Sequence, residues 1–242
     1  MSLLSAFIPV KNAIKLDYCV ELAARSLIPV ADEILLCDSN SDDGTRKILE
    51  SLTWENSKFR IINYDVENPV VNRMWCPTWR NFCRTQCQYP RHITLDADEV
   101  LANDPECHEA VKKAPIAEIE VDVMTFWKDE KHLIPEGHCE ERWCVRMAPT
   151  DRPSSYRDNI PEIPKPDPIR RESIRIFHLG FLRRHEAYIA KCQLTHMAHF
   201  GKIDSRLKAD VPLHETDWGW NKPLRDYSGS YPPGVLEWIK AR

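Results

Sequence analysis

The chain predicts an α/β fold: a mostly parallel, Rossmann-like central sheet flanked by helices, with a mixed, antiparallel C-terminal part. Three observations carry that expectation. Over the first hundred residues, four short apolar runs are separated by three helix-like segments, the rhythm of βαβ units. The fourth run, Ile93-Thr94-Leu95, leads directly into Asp96-Ala97-Asp98-Glu99, and the carboxyl ends of strands are where open α/β sheets bind ligands. Beyond Val100 the rhythm gives way to alternating runs of the kind found in antiparallel or edge strands.

Residues 3–10 are an apolar run closed by Pro9, a buried first strand starting next to the initial Met. Asn12 is placed to cap the helix that follows. In that helix Leu16, Val20, Ala23 and Leu27 recur at spacings of four, three and four and share one face, and Pro29 stops it. Residues 33–37 are the second strand. They run into Asp38-Ser39-Asn40-Ser41-Asp42-Asp43-Gly44-Thr45, a turn dense in side-chain acceptors and in residues that tolerate left-handed backbone. A helix over 45–52 turns Ile48, Leu49 and Leu52 inward, and residues 59–64 form a third strand by length and β-branching. Pro77 suits the first turn of a third helix, with Trp79, Phe82 and Cys83 on one face and Arg80-Asn81 on its flank. Residues 91–95 are the fourth strand, and the crossovers are expected to be right-handed.

Further on, strands are expected over 119–127, 142–147 and 174–179, and a helix over 186–200. Six prolines between 149 and 168 make that stretch a long loop, a class of segment that often carries function. The tail, with Trp218, Trp220 and Trp238, is expected to pack irregularly on the body.

Composition narrows the function classes. An apolar content of 43% in 242 residues can fill a real core. A net charge of -4 argues against a general nucleic-acid binder, which would be basic. No apolar run reaches membrane-spanning length, and the opening run lacks the length and basic flank of a signal peptide. Nine cysteines show no regular spacing and no Cys-x-x-Cys. Cys19, Cys37, Cys83, Cys87 and Cys192 sit in apolar patterns, so reduced thiols in a cytoplasm are the reading, not a disulfide framework or a zinc knuckle.

At the end of an extended strand, Asp96 and Asp98 would point to the same side. Two convergent hard oxygen ligands suit Mg²⁺ or Mn²⁺, more so when a bound phosphate supplies further oxygens. Taken alone, Asp-x-Asp equally describes a solvated turn or a helix cap.

Three blocks, in this order, resemble family 2 glycosyltransferases of the GT-A fold. Phe7-Ile8-Pro9-Val10-Lys11-Asn12 is similar to the family's opening strand and Pro-x-x-Asn turn. Residues 38–45 resemble its Asp-x-Gly-Ser-x-Asp-Gly-Thr, with Asn40 in place of a Gly, an exchange that left-handed backbone accepts. Arg80-Asn81, followed by Leu95-Asp96-Ala97-Asp98-Glu99, is similar to its Arg-Asn helix and DxD strand. Ala13 departs from the acid that many members carry there. The resemblance covers residues 3 to about 100; later, only the strand around Arg146 and His178-Leu179-Gly180 resemble some members.

The resemblance implies one GT-A-like domain over 1–242, with a nucleotide-binding half at 1–100 and an acceptor-side half and tail at 101–242. It implies metal-dependent transfer of a sugar from a nucleotide diphosphate sugar, a UDP-sugar before other donors, to a hydroxyl acceptor. The acceptor stays open: a glycan, a lipid-linked carrier, a protein or a modified nucleobase. The backbone of Pro9, Val10 and Lys11 is expected to line the base, Asp38 to accept from the base or ribose and Asp96 to face the ribose, with Asn12, Asn40 and Ala97 also in the nucleotide-sugar site. Asp98 is implied to hold Mn²⁺ or Mg²⁺, His178 to complete the metal site, and Arg80 to add positive charge near the nucleotide. An inverting reaction also needs a carboxylate to deprotonate the acceptor. Glu162, in the proline-rich loop, is the first candidate, ahead of Glu140, Glu141 and Asp158; a retaining reaction needs none.

Other features admit plainer readings. His196 and His199, at i and i+3, are a metal pair or, more often, an exposed helix face. Arg170, Arg171, Arg175, Arg183 and Arg184 form a basic cluster for diphosphate, anionic acceptor or DNA phosphates, or else a solvated face. Two other functions stand beside the transferase. A sugar nucleotidyltransferase usually carries a Gly-rich loop after its first strand, and residues 9–16 contain no Gly. A non-catalytic nucleotide or nucleic-acid binding module would bind nucleotide yet neither transfer nor hydrolyse a donor.

Overall fold

The computed structural model describes residues 3–65, 75–135, 142–151, 167–200 and 223–242. The first half follows the expected rhythm: β1 (Leu4–Val10), α1 (Val20–Leu27), β2 (Glu33–Asp38), α2 (Thr45–Glu55), β3 (Phe59–Asn63), α3 (Trp75–Thr85) and β4 (Arg91–Thr94). It continues with β5 (Glu99–Leu101), α4 (Pro105–Lys113), β6 (Ile119–Thr125), β7 (His132–Leu133), β8 (Trp143–Pro149) and β9 (Ile169–His178). The described chain closes with α5 (His185–Phe200), β10 (Arg225–Asp226) and α6 (Val235–Lys240).

Eight strands form one sheet in the order β3-β2-β1-β4-β8-β6-β9-β5, and β7 pairs with β10 in a small second sheet. From β3 to β4 all pairings are parallel. Beyond β4 the sheet is mixed: β8 is antiparallel to β4 and β6, β9 is parallel to β6, and β5 is antiparallel to β9. This is the α/β architecture expected. Strand order reverses between β1 and β4, so the chain leaves both strands at a topological switch point, the place where such sheets form a crevice.

Burial explains why the first strands read as continuous apolar runs. Every residue of β2 and all but Pro9 in β1 are buried, as expected for parallel strands covered on both faces. Alternate residues then serve two cores. Ala6, Ile8, Val10, Ile34 and Leu36 join the larger one, with Val20, Ala23 and Leu27 of α1 and Leu49 and Leu52 of α2. Phe7, Leu35 and Cys37 pack on the other face with Trp79 and Cys83 of α3. Fully burying each large apolar side chain contributes roughly 1.5–3 kcal/mol.

Several local expectations are corrected. α1 begins at Val20, not near Leu16, and Asn12 does not cap it. Asn12 takes a left-handed conformation (φ 50°) and ties itself to the next loop: its N–H donates to Ser41 Oγ (2.9 Å) and its Oδ1 accepts the Asp42 N–H (3.0 Å). Leu16 is buried from the turn ahead of the helix. α2 runs on to Glu55, and β9 begins at Ile169, earlier than alternation suggested.

Two described helices went unread. In α4, Asp104 Oδ1 accepts the Cys107 N–H (2.9 Å) and Pro105 opens the first turn, a start signal present in the sequence. The tail is helical over α6, and Trp238 packs against the larger core. Cys19, Cys37, Cys83 and Cys107 are buried, Cys87, Cys144 and Cys192 are partly buried, and all seven are free thiols. No helix among the described residues is long and apolar enough to cross a membrane. Glu140, Glu141, Asp158, Glu162, Trp218 and Trp220 lie outside the described residues, as do the side chains of His196 and His199.

Candidate functional site

The chain turns sharply as it leaves β4. The Asp96 N–H donates to Glu99 Oε2 (2.8 Å), and the Glu99 N–H donates back to the Asp96 carbonyl (3.0 Å). This turn, not an extended strand, presents the acidic residues. Asp96 looks outward with about a third of its side chain exposed (35%), whereas the Asp98 side chain is 9% exposed. The strict period-2 alternation expected for the pair is therefore replaced by a turn.

Each carboxylate meets a guanidinium. Arg80 of α3 donates from Nη2 to both oxygens of Asp96 (2.5 and 2.7 Å). Arg146 reaches the stretch because β8 lies beside β4; it donates to Glu99 Oε1 and stands 3.7 Å from Asp96 Oδ2. Arg183, from the turn after β9, donates to Asp98 Oδ2. Burial works against ionising Asp96, but Arg80 and Arg146 outweigh it and hold its carboxyl well below the usual range. For Asp98, burial is likewise outweighed, by His178 and Arg183, and the carboxyl stays below its ordinary value.

His178 ends β9, paired with Thr125 of β6 on one side and Glu99 of β5 on the other. Its Nε2 lies 3.8 Å from Asp98 Oδ2, and its Nδ1 lies 3.3 Å from Thr125 Oγ1. As a metal ligand, His178 would carry its proton on Nδ1, toward Thr125, and present Nε2 to the cation. The Leu179 N–H donates to the Asp98 carbonyl (2.9 Å), which brings the next residue, Gly180, over the pair. A Cβ at Gly180 would stand 2.6 Å from His178 Nε2 and 3.0 Å from Asp98 Oδ2. Only a glycine fits so close to both groups. One carboxylate and one imidazole suit a hard divalent cation that would take its remaining oxygens from phosphate and water. Among the described residues no cluster of three or more such ligands forms.

The other expected residues lie at the carboxyl ends of β1 and β2. The Ser39 N–H donates to the Val10 carbonyl (2.9 Å), and Lys11 Nζ donates to the carbonyls of Ser39 (2.7 Å) and Asn40 (3.2 Å). Asp38 is buried, and its Oδ1 accepts from the Ser41 N–H (3.1 Å) and Oγ (2.6 Å). Asn40 takes left-handed backbone (φ 50°), as its place in the turn predicted, and its Nδ2 donates to Asp65. With the Asn12 links, these bonds weld the two loops into one wall. Val10 is fully buried, whereas Pro9 is partly exposed.

Thus Arg80, Asp96, Asp98 and His178 come together, with Ala97 buried in the turn between the acids. Pro9, Val10, Lys11, Asn12, Asp38 and Asn40 form the adjacent wall. Glu162 lies outside the described residues. The basic cluster does not hold together: Arg170 pairs with Glu120, Arg175 with Asp104, Arg184 with Asp17 and Arg183 with Asp98. In the sequence Arg183 reads only as part of a basic cluster, Gly180 only as a neighbour of His178, and Arg146 only as part of a strand; Thr125 carries no signal there. A separate cavity of about 290 Å³ lies between α1 and α6, with Asp17, Arg184 and Arg242 already paired in its wall.

No family model and no curated protein matches the chain. Among solved structures it is similar to the mannosyltransferase PcManGT from Pyrobaculum calidifontis in complex with GDP-Man and Mn²⁺, at 15% identity and a TM-score of 0.39, over 52% of this chain and 36% of that one. It is also similar to S. aureus TarS 1-349 in complex with UDP, at 12% identity and a TM-score of 0.45, over 81% of this chain and 55% of that one. A further match is S. aureus TarS, at 14% identity and a TM-score of 0.43, over 77% of this chain and 33% of that one. The chain thus spans between a third and just over half the length of these structures.

Proposed function

We propose that the chain is a glycosyltransferase that moves a sugar from a nucleotide diphosphate sugar to a hydroxyl acceptor, using Mn²⁺ or Mg²⁺. The observation that carries this reading is the Asp98–His178 pair, 3.8 Å apart beside the bare Gly180 backbone, where the turn that leaves β4 meets the end of β9. The sequence resemblance over residues 3–100 supports the same reading and makes a UDP-sugar the first donor to test.

The wall formed by Pro9 to Asn12 with Asp38 and Asn40 takes the nucleoside, base against the β1 end. Asp96, held by Arg80, faces the ribose. Asp98 and His178 hold the divalent cation, which supplies Lewis-acid charge against the negative charge building on the departing diphosphate. Arg80 and Arg146 add fixed positive charge on the same side. Glu162 is proposed as the base that takes the acceptor's proton. The free thiols of the described cysteines suit a reducing compartment such as the cytoplasm.

The test is a thermal-shift screen of UDP, GDP and their sugars with and without Mn²⁺, followed by donor hydrolysis and transfer assays. Binding to the folded state raises the melting temperature by mass action. A metal-dependent shift with one diphosphate, and turnover lost in folded Asp98→Asn, are expected. Full turnover in Asp98→Asn would sink the proposal.

A further inference from the structure

Asp98 Oδ2 faces two groups at once. One is His178 Nε2, at 3.8 Å; the other is the guanidinium of Arg183, which donates to the same oxygen from Nη2. Arg183 is not a surface arginine. Its side chain is 2% exposed and anchored on every side. Its Nε donates to the Gly180 carbonyl (2.6 Å), its Nη1 donates to the Leu16 carbonyl (3.1 Å), and its guanidinium lies 4.7 Å from the centre of the Tyr18 ring. Lys191 of α5 approaches the same ring (5.4 Å) and acts electrostatically on both Asp96 and Asp98.

The three carboxylates Asp96, Asp98 and Glu99 therefore stand among four fixed cations: Arg80, Arg146, Arg183 and Lys191. An open acidic chelator carries surplus negative charge; this site does not. A divalent cation and a guanidinium on one carboxylate oxygen repel each other, and the guanidinium is already in place.

Resting on the metal reading above, we propose that Arg183 is the built-in counter-cation of Asp98. A divalent cation binds at Asp98 and His178 by exchanging with it, so Arg183 sets how tightly the site takes metal. Two consequences follow from the charges. The site binds metal weakly alone. It binds metal more tightly once a diphosphate brings its own negative charge, a coupling that is reciprocal.

The test titrates Mn²⁺ alone into the full chain, following free Mn²⁺ by electron paramagnetic resonance. It compares the wild type with Arg183→Gln, Arg183→Lys and His178→Ala, and repeats each with UDP present. Arg183→Gln is expected to bind Mn²⁺ roughly ten- to hundredfold tighter, the span set by one charge-assisted hydrogen bond. Arg183→Lys is expected to stay near the wild type, and His178→Ala to bind more weakly. A folded Arg183→Gln with wild-type Mn²⁺ affinity overturns the exchange and leaves the metal reading standing. No Mn²⁺ binding by any form, with or without UDP, overturns both.

Because Arg183→Gln strips a buried carboxylate of its partner and can unfold the chain, a second measurement uses the wild type. The Arg183 Nε–H resonance, protected by its bond to Gly180, is expected to shift and exchange faster as Mg²⁺ saturates the site. A resonance unmoved at saturating Mg²⁺ overturns the exchange.

Discussion

Asp98 shows why the choice of substitution matters at the scale of one residue. Truncating it to Ala leaves the Arg183 guanidinium buried without its carboxylate, and breaking such a buried pair costs about 3–5 kcal/mol. Lost activity in that variant would confuse chemistry with folding, whereas Asp98→Asn keeps an oxygen for Arg183. Gly180 is the complementary probe. A Cβ there would crowd His178 Nε2 and Asp98 Oδ2 and push the two groups apart, so Gly180→Ala is expected to abolish any Mn²⁺-dependent thermal shift. It is expected to cost about 1–3 kcal/mol by overpacking, read from urea unfolding without metal. An Ala variant that keeps the full Mn²⁺ shift would place the cation elsewhere.

At the scale of the element, β4 carries a pH signal separate from the acidic turn. His92, fully buried against Phe7 (ring centroids 5.1 Å apart), has its pKa pushed down to about 3 by burial and then by Arg84. The unfolded chain titrates near the ordinary 6.5 and so binds the extra proton between the two values. Its contribution to stability is thus fully present above about pH 6.5 and declines as pH falls toward 3. The slope expected is roughly 1.4 kcal/mol per pH unit. Urea midpoints measured between pH 7 and 4 should show that slope, flattened in His92→Gln; equal slopes in both proteins would refute the assignment. α4 gives a simpler test. Asp104→Ala removes the cap on Cys107 and the ion pair with Arg175 (2.8 Å), and about 1–2 kcal/mol of stability should go with them in chemical denaturation.

At the scale of the whole molecule, one buried carboxylate ties the ends of the described chain together. Asp17, in left-handed backbone (φ 51°), accepts from the Arg184 N–H (2.8 Å) and guanidinium (2.8 Å) and from Arg242 (3.0 and 2.9 Å). The turn before α1, the residue just ahead of α5 and the second residue after α6 are thus joined at one point. Asp17→Ala is expected to destabilise by about 1–3 kcal/mol, since Arg184 can return to water more readily than Arg242. Restoring the wild-type urea midpoint in Asp17→Asn would show that hydrogen bonding, not charge, makes this tie.

The sequence by itself determined the α/β class, the four-strand parallel core and the place of the acidic turn, because those depend on local periodicity and turn chemistry. Phe7, Leu35 and Cys37 alternate with Ile8, Ile34 and Leu36 whatever lies around them, and Asn40 enters left-handed backbone by its own steric tolerance. Even there, local reasoning failed where a side chain answered a distant call. Asn12 had the chemistry of a helix cap and instead clipped a loop 30 residues on, because the loops after β1 and β2 meet at adjacent parallel strand ends. Only the tertiary structure decided which charges pair. Arg170, Arg175, Arg183 and Arg184 look alike as a basic run, yet each finds a different acid at separations from 50 to 167 residues. Charge–charge energy depends on distance through space and on burial, and neither is written in the spacing of residues along a chain.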